Sequence, residues 1–261
     1  MTADDQPDGV PHAVGQREAE RDDLGASLRG LSLLSAARLP LPEVLTRIAR
    51  YAVQAIPGAD GAGLTLLEHH RSDTIVQTAD FVGEVDAVQY GSGEGPCITA
   101  ARDAVTVISG SIGGDPRWPR FGGRVARLGV HSAISLPLVT PDEVVGAMNV
   151  YAFAKNAFDA RAAELGEVFA VPAAVAVQNA RVLEDARRLS ERLQRILDER
   201  MVIERAVGIV MSRSGVDEDE ARARLTRLSQ HEHVKLVQVA RTLVEEAARR
   251  ARSRPHEQPL D

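Results

Sequence analysis

Six apolar residues recur at seven-residue intervals in this chain: Val175, Val182, Leu189, Ile196, Ile203 and Val210. On a helix such a stripe forms one narrow seam, and soluble helices carrying it usually bury it against another helix. With these residues at position d, the a positions fall on Asn179, Ala186, Leu193, Arg200 and Val207. An Asn at an a site fixes register at some cost in stability. The stripe predicts one very long helix that pairs with its counterpart in a second copy, a homodimer through a coiled coil. A helix packed along its own domain would show much the same stripe, so periodicity leaves both arrangements open.

A chain of 261 residues allows one large domain or two small ones. Apolar residues make up 44% and aromatics only 3%, so the cores are built from Ala, Val, Leu and Ile. The net charge of -6 excludes a uniformly basic surface but leaves room for a basic face. Residues 186 to 250 hold 14 Lys and Arg against 11 Asp and Glu, a local excess of +3. A single cysteine, Cys97, excludes an intrachain disulfide and a cysteine zinc cluster. Neither a signal-peptide pattern nor a run of roughly 18 apolar residues is visible, which points to the cytoplasm and away from the membrane.

Residues 1–23 are polar and aperiodic and read as a disordered tail. Leu28, Leu31, Leu34 and Leu39 suggest a short helix, and Pro42 opens a second one, PEVLTRIARYAVQAI. The period then changes to two. GAGLTLLEH and TIVQTADF read as strands around the polar turn HHRSD, and AVTVIS, HSAISLPLV and EVVGAMNVYAF as three more. YGSGEGPC is too rich in glycine for either element, DPRWPRF is a loop, GGRVARLG a helix, and Asp159 an N-cap of the next helix. The order predicts an α+β sensor domain over 24–175, an antiparallel sheet with flanking helices and room for a cavity on one face. Pro172 should kink or break the helix it sits in. A coiled-coil connector over 176–195 then leads to an all-α three-helix domain over 189–250, followed by a disordered tail at 251–261. Gly215 closes the long helix, and Asp217 with Glu220 resembles a capping box.

The C-terminal stretch resembles the ANTAR domain, a three-helix RNA-binding module of bacterial transcription antiterminators. Leu197, Arg200, Ile203, Ala206, Gly208 to Met211, Arg213, Gly215, Ala221, Leu225, Ser229, Lys235, Leu236, Val239 and Ala240 carry the match, around an R-x-x-I-x-x-A-x-G-I-x-M core. The preceding region resembles a GAF domain of the actinobacterial GAF–ANTAR type, through GSGEGPC, ITAARD, DPRWPRF, HSAISLPL and EVVGAMNVY. The resemblance spans residues 28 to 247. It implies a GAF-like sensor controlling a dimeric ANTAR-like unit that binds tandem hairpins in leader or nascent RNA, with no ligand shared across the subgroup. Three positions depart from the pattern. Val207 stands where many such domains carry Lys, Arg222 where many carry an aromatic, and His233 where many carry Asn.

RNA loops are read by stacking, by hydrogen bonds to splayed bases and by phosphate contacts. The helical unit has no Phe, Tyr or Trp, so Arg and His must do any stacking. Candidate RNA contacts are Arg200, Arg205, Arg213, Arg222, Arg224, Arg227, Lys235 and Arg241. The acidic run from Asp217 to Glu220 marks a face that phosphate avoids. Gly208 in mid-helix costs about 1 kcal/mol against Ala and is expected where another helix, or RNA backbone, comes close. In the sensor, Cys97, Trp118, Phe121, His131 and Tyr151 are candidate pocket residues, for which core packing is the simpler role. Cys97 fits a redox sensor, a tetrapyrrole attachment point or a small buried hydrophobe. GSGEGPC lacks the spacing and the lysine of a P-loop. No catalytic or metal motif stands out, so a non-enzyme without a resident cofactor is expected, with a small-molecule effector left open. Two other outputs stay open: a dimeric scaffold whose helical domain binds a protein partner, and DNA binding, for which KLVQVARTLVEEAARR makes a poor major-groove reader.

Overall fold

The computed structural model describes residues 10–36, 39–68 and 71–252. The chain divides into two compact units, residues 1–184 and 185–261. In the first, α1 (Val10–Ala36) and α2 (Leu41–Ala55) precede β1 (Gly61–Glu68) and β2 (Arg71–Gln77). Then come α3 (Asp80–Ser92), α4 (Pro96–Asp103), β3 (Val107–Ser109), a 3-10 turn, α5 (Pro119–Ala126), β4 (Ser132–Val139) and β5 (Val144–Ala152). The helix α6 (Ala160–Ser214) contributes to both units.

The five strands form one antiparallel sheet in the order β2-β1-β5-β4-β3. Alternation along β1 sends Ala62, Leu64 and Leu66 to one face, where they join Leu45 and Ile48 of α2 and Phe169, Ala173 and Val177 of α6. The other face carries Ala133 and Tyr151 under Val82 and Val85 of α3, with Trp118, Phe121 and Val125 beside them. Helices therefore cover both faces, where the sequence suggested helices on one face and room for a cavity on the other. Gly61 and Gly63 let α3 settle on β1: a Cβ at Gly63 would lie 2.9 Å from Asp86 Oδ2 and from Val82.

Two expectations are corrected here. The segment read as a tail is helical from Val10 onward, because Glu, Arg, Gln and Ala favour a helix. Glu20 also reaches Arg161 of α6 at 3.7 Å. The segment from Asp80 to Ser92 is a helix, α3, which the strand pattern and the glycine content had concealed. Expectations for residues 1–9, 69–70 and 253–261 lie outside the described residues.

In α6, Asp159 caps the first turn, its carboxylate accepting from the Ala162 amide at 2.8 Å. The helix is unbroken across Pro172. In the second unit, its last turns pack with α7 (Glu218–Glu232) and α8 (Leu236–Arg252) around Ala206, Val207, Ala221, Leu225, Val239 and Ala240. Gly215 takes the left-handed conformation, φ +65, and its amide reaches Met211 O at 2.8 Å. Asp217 caps α7 by accepting from the Glu220 amide at 2.9 Å. The seven-residue stripe divides. Ile203 and Val210 pack against the three-helix core. Val175, Val182, Leu189 and Ile196 are 47, 58, 57 and 51% exposed.

Candidate functional sites

Beneath α3 and α4 the sheet presents polar rather than apolar side chains. Thr65, Ser135, Asn149 and Tyr151 lie buried there beside Asp86 and Gln89 of α3. The Tyr151 hydroxyl donates to Asp86 Oδ1 at 2.7 Å, and Asn149 Nδ2 donates to the same oxygen at 3.4 Å. Ser135 Oγ donates to Asn149 Oδ1 at 2.8 Å, and Thr65 and Tyr90 share a hydrogen bond. Cys97 borders this polar cluster: its Sγ lies 3.8 Å from the Tyr90 hydroxyl, and its amide donates to Gln89 Oε1 at 3.0 Å. The first free amide of α4 is thus served from within the chain. Gln89 Nε2 is buried without a hydrogen-bond partner. Burial pushes the Cys97 thiol up to about 11 and, together with the nearby Asp86, raises the Tyr151 phenol well above its ordinary range.

Of the five proposed pocket residues, Cys97 and Tyr151 meet at this polar cluster. Trp118 and Phe121 pack edge to face in the adjoining core, ring centres 6.5 Å apart. His131 is half-buried, and its backbone bonds to Ala152 and Ile112 tie it to the end of β4. Sequence reasoning missed Asp86, Gln89 and Asn149. On a helix, Val82, Val85, Asp86 and Gln89 share one face, a spacing that could have revealed the two polar members.

The glycine-rich loop opens a separate outer cleft of about 370 Å³, lined in part by Glu94, Thr99, Arg102, Arg117 and Trp118. Its charges are paired. Arg120 Nε donates to Glu94 at 2.6 Å, and Arg102 lies 2.7 Å from Asp103. Arg117 donates to Asp115 at 2.7 and 2.9 Å while stacking 4.2 Å above the Trp118 ring. These bonds from Arg117, with one from Ser109, hold the Asp115 carboxyl down at about 2.

In the helical unit the eight candidate cations separate by their partners. Arg222 bridges Glu204 of α6 at 3.0 Å and Glu218 at 2.9 Å, so it ties α7 to α6. Arg224 and Arg227 both donate to Glu220 at 2.9 Å and hold its carboxyl below the usual range. Arg200 sits 3.8 Å from Glu204. Arg205 touches Met201 Sδ at 3.4 Å, and Arg213, Lys235 and Arg241 are exposed with no ion pair among the described residues. Gly208 is exposed on the same side of α6 as Arg205, and a Cβ there would meet nothing within 4 Å. Packing inside the chain therefore does not account for this glycine. Val207 is core, 2% exposed, rather than a missing surface charge. His233 is the left-handed C-cap of α7, φ +56, a conformation that Asn adopts more readily.

Residues 39–178 match the family model described as GAF domain. The chain belongs to the GAF-domain family. Residues 191–244 match the model described as ANTAR domain. No curated protein matches the chain. Among solved structures it is similar to the GAF domain of a phosphoenolpyruvate-protein phosphotransferase from Coxiella burnetii, at 16% identity over 61% of this chain and 95% of that one, TM-score 0.47. It is also similar to the corresponding domain from Acinetobacter, at 13% identity over 62% and 95%, TM-score 0.48. The buried polar cluster lies within the GAF domain, and Arg205, Arg213, Lys235 and Arg241 all fall within the ANTAR match. GAF and ANTAR domains are regulatory, non-catalytic modules. Among the described residues no cluster of His, Cys, Asp and Glu is placed to hold a metal, and no helix is long and apolar enough to cross a membrane.

Proposed function

We propose that this protein is a signal-responsive, RNA-binding transcription antitermination regulator of the actinobacterial GAF–ANTAR type. A sensor over 24–175 controls, through a coiled-coil connector over 176–195, an RNA-binding unit over 189–250. The protein acts in the cytoplasm as a dimer, each ANTAR domain holding one of two tandem hairpins in leader RNA. The observation that carries this reading is the ANTAR match over 191–244, in which four of the eight candidate contacts, Arg205, Arg213, Lys235 and Arg241, have no ion pair among the described residues. The uncrowded Gly208 beside Arg205 supports close approach by something outside the chain. The exposed Val175, Val182, Leu189 and Ile196 support pairing of α6 with a second copy.

A gel shift of the full chain against a leader RNA with two short hairpins tests the reading, with scrambled RNA and the same sequence as DNA as competitors. Selective retention of the hairpin RNA, lost on combining Arg205→Ala with Arg213→Ala, is expected. Equal competition by all three nucleic acids would sink it. Sensor control has its own test: if the fragment 174–261 binds RNA as the full chain does in every condition tried, the GAF domain does not regulate binding.

One observation favours a second reading, a sensory scaffold whose output is a protein contact. An apolar groove of about 390 Å³ runs between α7 and α8 over Leu225, Val234, Val239 and Leu243, with Glu232 and Glu246 among its lining residues. Those carboxylates repel phosphate, so the groove is not where RNA would lie.

A further inference from the structure

The groove between α7 and α8 lies wholly within the C-terminal unit, and its walls are two one-sided stripes. Leu225, Leu228 and Glu232 stand at i, i+3 and i+7 on α7, and Val239, Leu243 and Glu246 at i, i+4 and i+7 on α8. Residues at those spacings share a helix face. Each stripe therefore runs from apolar side chains to a carboxylate. Leu228 is 43% exposed and Leu243 is half-buried, so the apolar part is open to an occupant. The turn between the two helices is held by its own bonds. Ser229 Oγ donates to Val234 O at 2.6 Å, and the Val234 amide donates to Ser229 O at 3.1 Å. A groove already formed in the free chain spares its occupant the cost of ordering it.

We infer that this groove docks an amphipathic helix of a partner protein, one that carries Lys or Arg at both ends of a short apolar stripe. The inference rests on the second reading above and gives that output its partner chemistry. Charge selects the occupant. Glu232 is the last residue of α7, beside the turn, and Glu246 lies about 15 Å along α8 from Leu236 at the helical rise. Among the described residues Glu232 has no ion pair, and Glu246 meets Arg250 at 3.7 Å, beyond hydrogen-bond reach. Two carboxylates spaced along an apolar groove fix the direction and register of a helix with matching cations, and they reject an acidic one. About ten residues of helix span 15 Å, room for anchors at i, i+3 or i+4, and i+7, the pattern by which a helix fills a groove. Other occupants fit less well. The same carboxylates repel nucleic acid. A small molecule needs inward polar groups to orient it, and none of the polar lining residues, Glu232, Gln238, Thr242 and Glu246, is buried.

Two synthetic helical peptides test this against the full chain by fluorescence anisotropy. Both carry Leu at i, i+3 and i+7; one has Lys at each end of that stripe, the other Glu. The Lys peptide is expected to bind, and the Glu peptide to bind about tenfold more weakly or less. Leu228→Glu, at an exposed position, is expected to abolish Lys-peptide binding with thermal unfolding and hairpin RNA binding as in the parent. Combining Glu232→Lys with Glu246→Lys is expected to reverse the preference between the peptides. Equal binding of both peptides, lost on Leu228→Glu, would overturn the basic partner yet leave a protein-docking groove, so the second reading would stand. Lys-peptide binding that neither variant alters lies elsewhere on this acidic chain and overturns the inference. No binding of either peptide removes the inference and the second reading together. If Leu228→Glu instead breaks up an oligomer of the parent in sedimentation, the groove belongs to a second copy and the inference falls.

Discussion

At the scale of single residues, the GAF domain places its ionisable groups in two contrasting settings. Asp115 receives bonds from Arg117 and Ser109, which stabilise its charged form. Its folded pKa of about 2 lies below the ordinary 3.8, so its stabilisation is present above that ordinary value. The contribution fades as pH falls through about 2. Asp115→Asn is therefore expected to cost about 1–2 kcal/mol at pH 7, with the gap to the parent narrowing between pH 4 and 2 in denaturant titrations. Equal gaps at pH 7 and pH 2 would contradict this account. Cys97 is the opposite case, a thiol whose burial disfavours the thiolate. Its labelling by a thiol reagent at pH 8 should be slow in the native protein and complete after unfolding. Fast native labelling would restore the redox-sensor option. The polar cluster around Asp86 was illegible in the sequence because a lone carboxylate between valines gives no motif; only the folded sheet brings Asn149 and Tyr151 to it.

At the scale of elements, the strands and α6 were legible, whereas the first half of α1 and the whole of α3 were not. The pattern of alternation located β1, β4 and β5 because each puts apolar residues on a covered face. Two of the buried positions of α3, Asp86 and Gln89, are polar, and Gly83 and Gly91 lower its helix propensity, so the amphipathic signal was weak. The seam on α6 was visible from its period, yet period could not say which of its residues the chain buries for itself. Ile203 and Val210 join the three-helix core, and the four upstream members remain exposed. Gly208 gives this element its sharpest test. Filling open space on a helix, Gly208→Ala should raise stability by about 1 kcal/mol, read from thermal unfolding. If RNA approaches there, the same variant should bind hairpin RNA more weakly. Unchanged binding would take this face out of the interface.

At the scale of the whole molecule, the net charge of -6 and the local excess of +3 describe a protein that confines its positive charge. Partners decide which cations matter. Arg222 is engaged by Glu204 and Glu218, whereas Arg213 is free of ion pairs among the described residues. Arg213→Ala is expected to flatten the salt dependence of RNA binding by about one phosphate contact, while Arg222→Ala leaves that slope alone and lowers the melting temperature. The reverse pattern would reassign the two residues. The ANTAR core has a consequence of a different kind. Its six buried side chains are three alanines, two valines and one leucine, and so small a core contributes little stability by itself. If pairing supplies the remainder, the lifetime of this unit depends on dosage. Chains made in excess of the dimerisation threshold would persist, and those below it would be cleared by proteolysis, so the cell's copy number would itself set when the regulator exists.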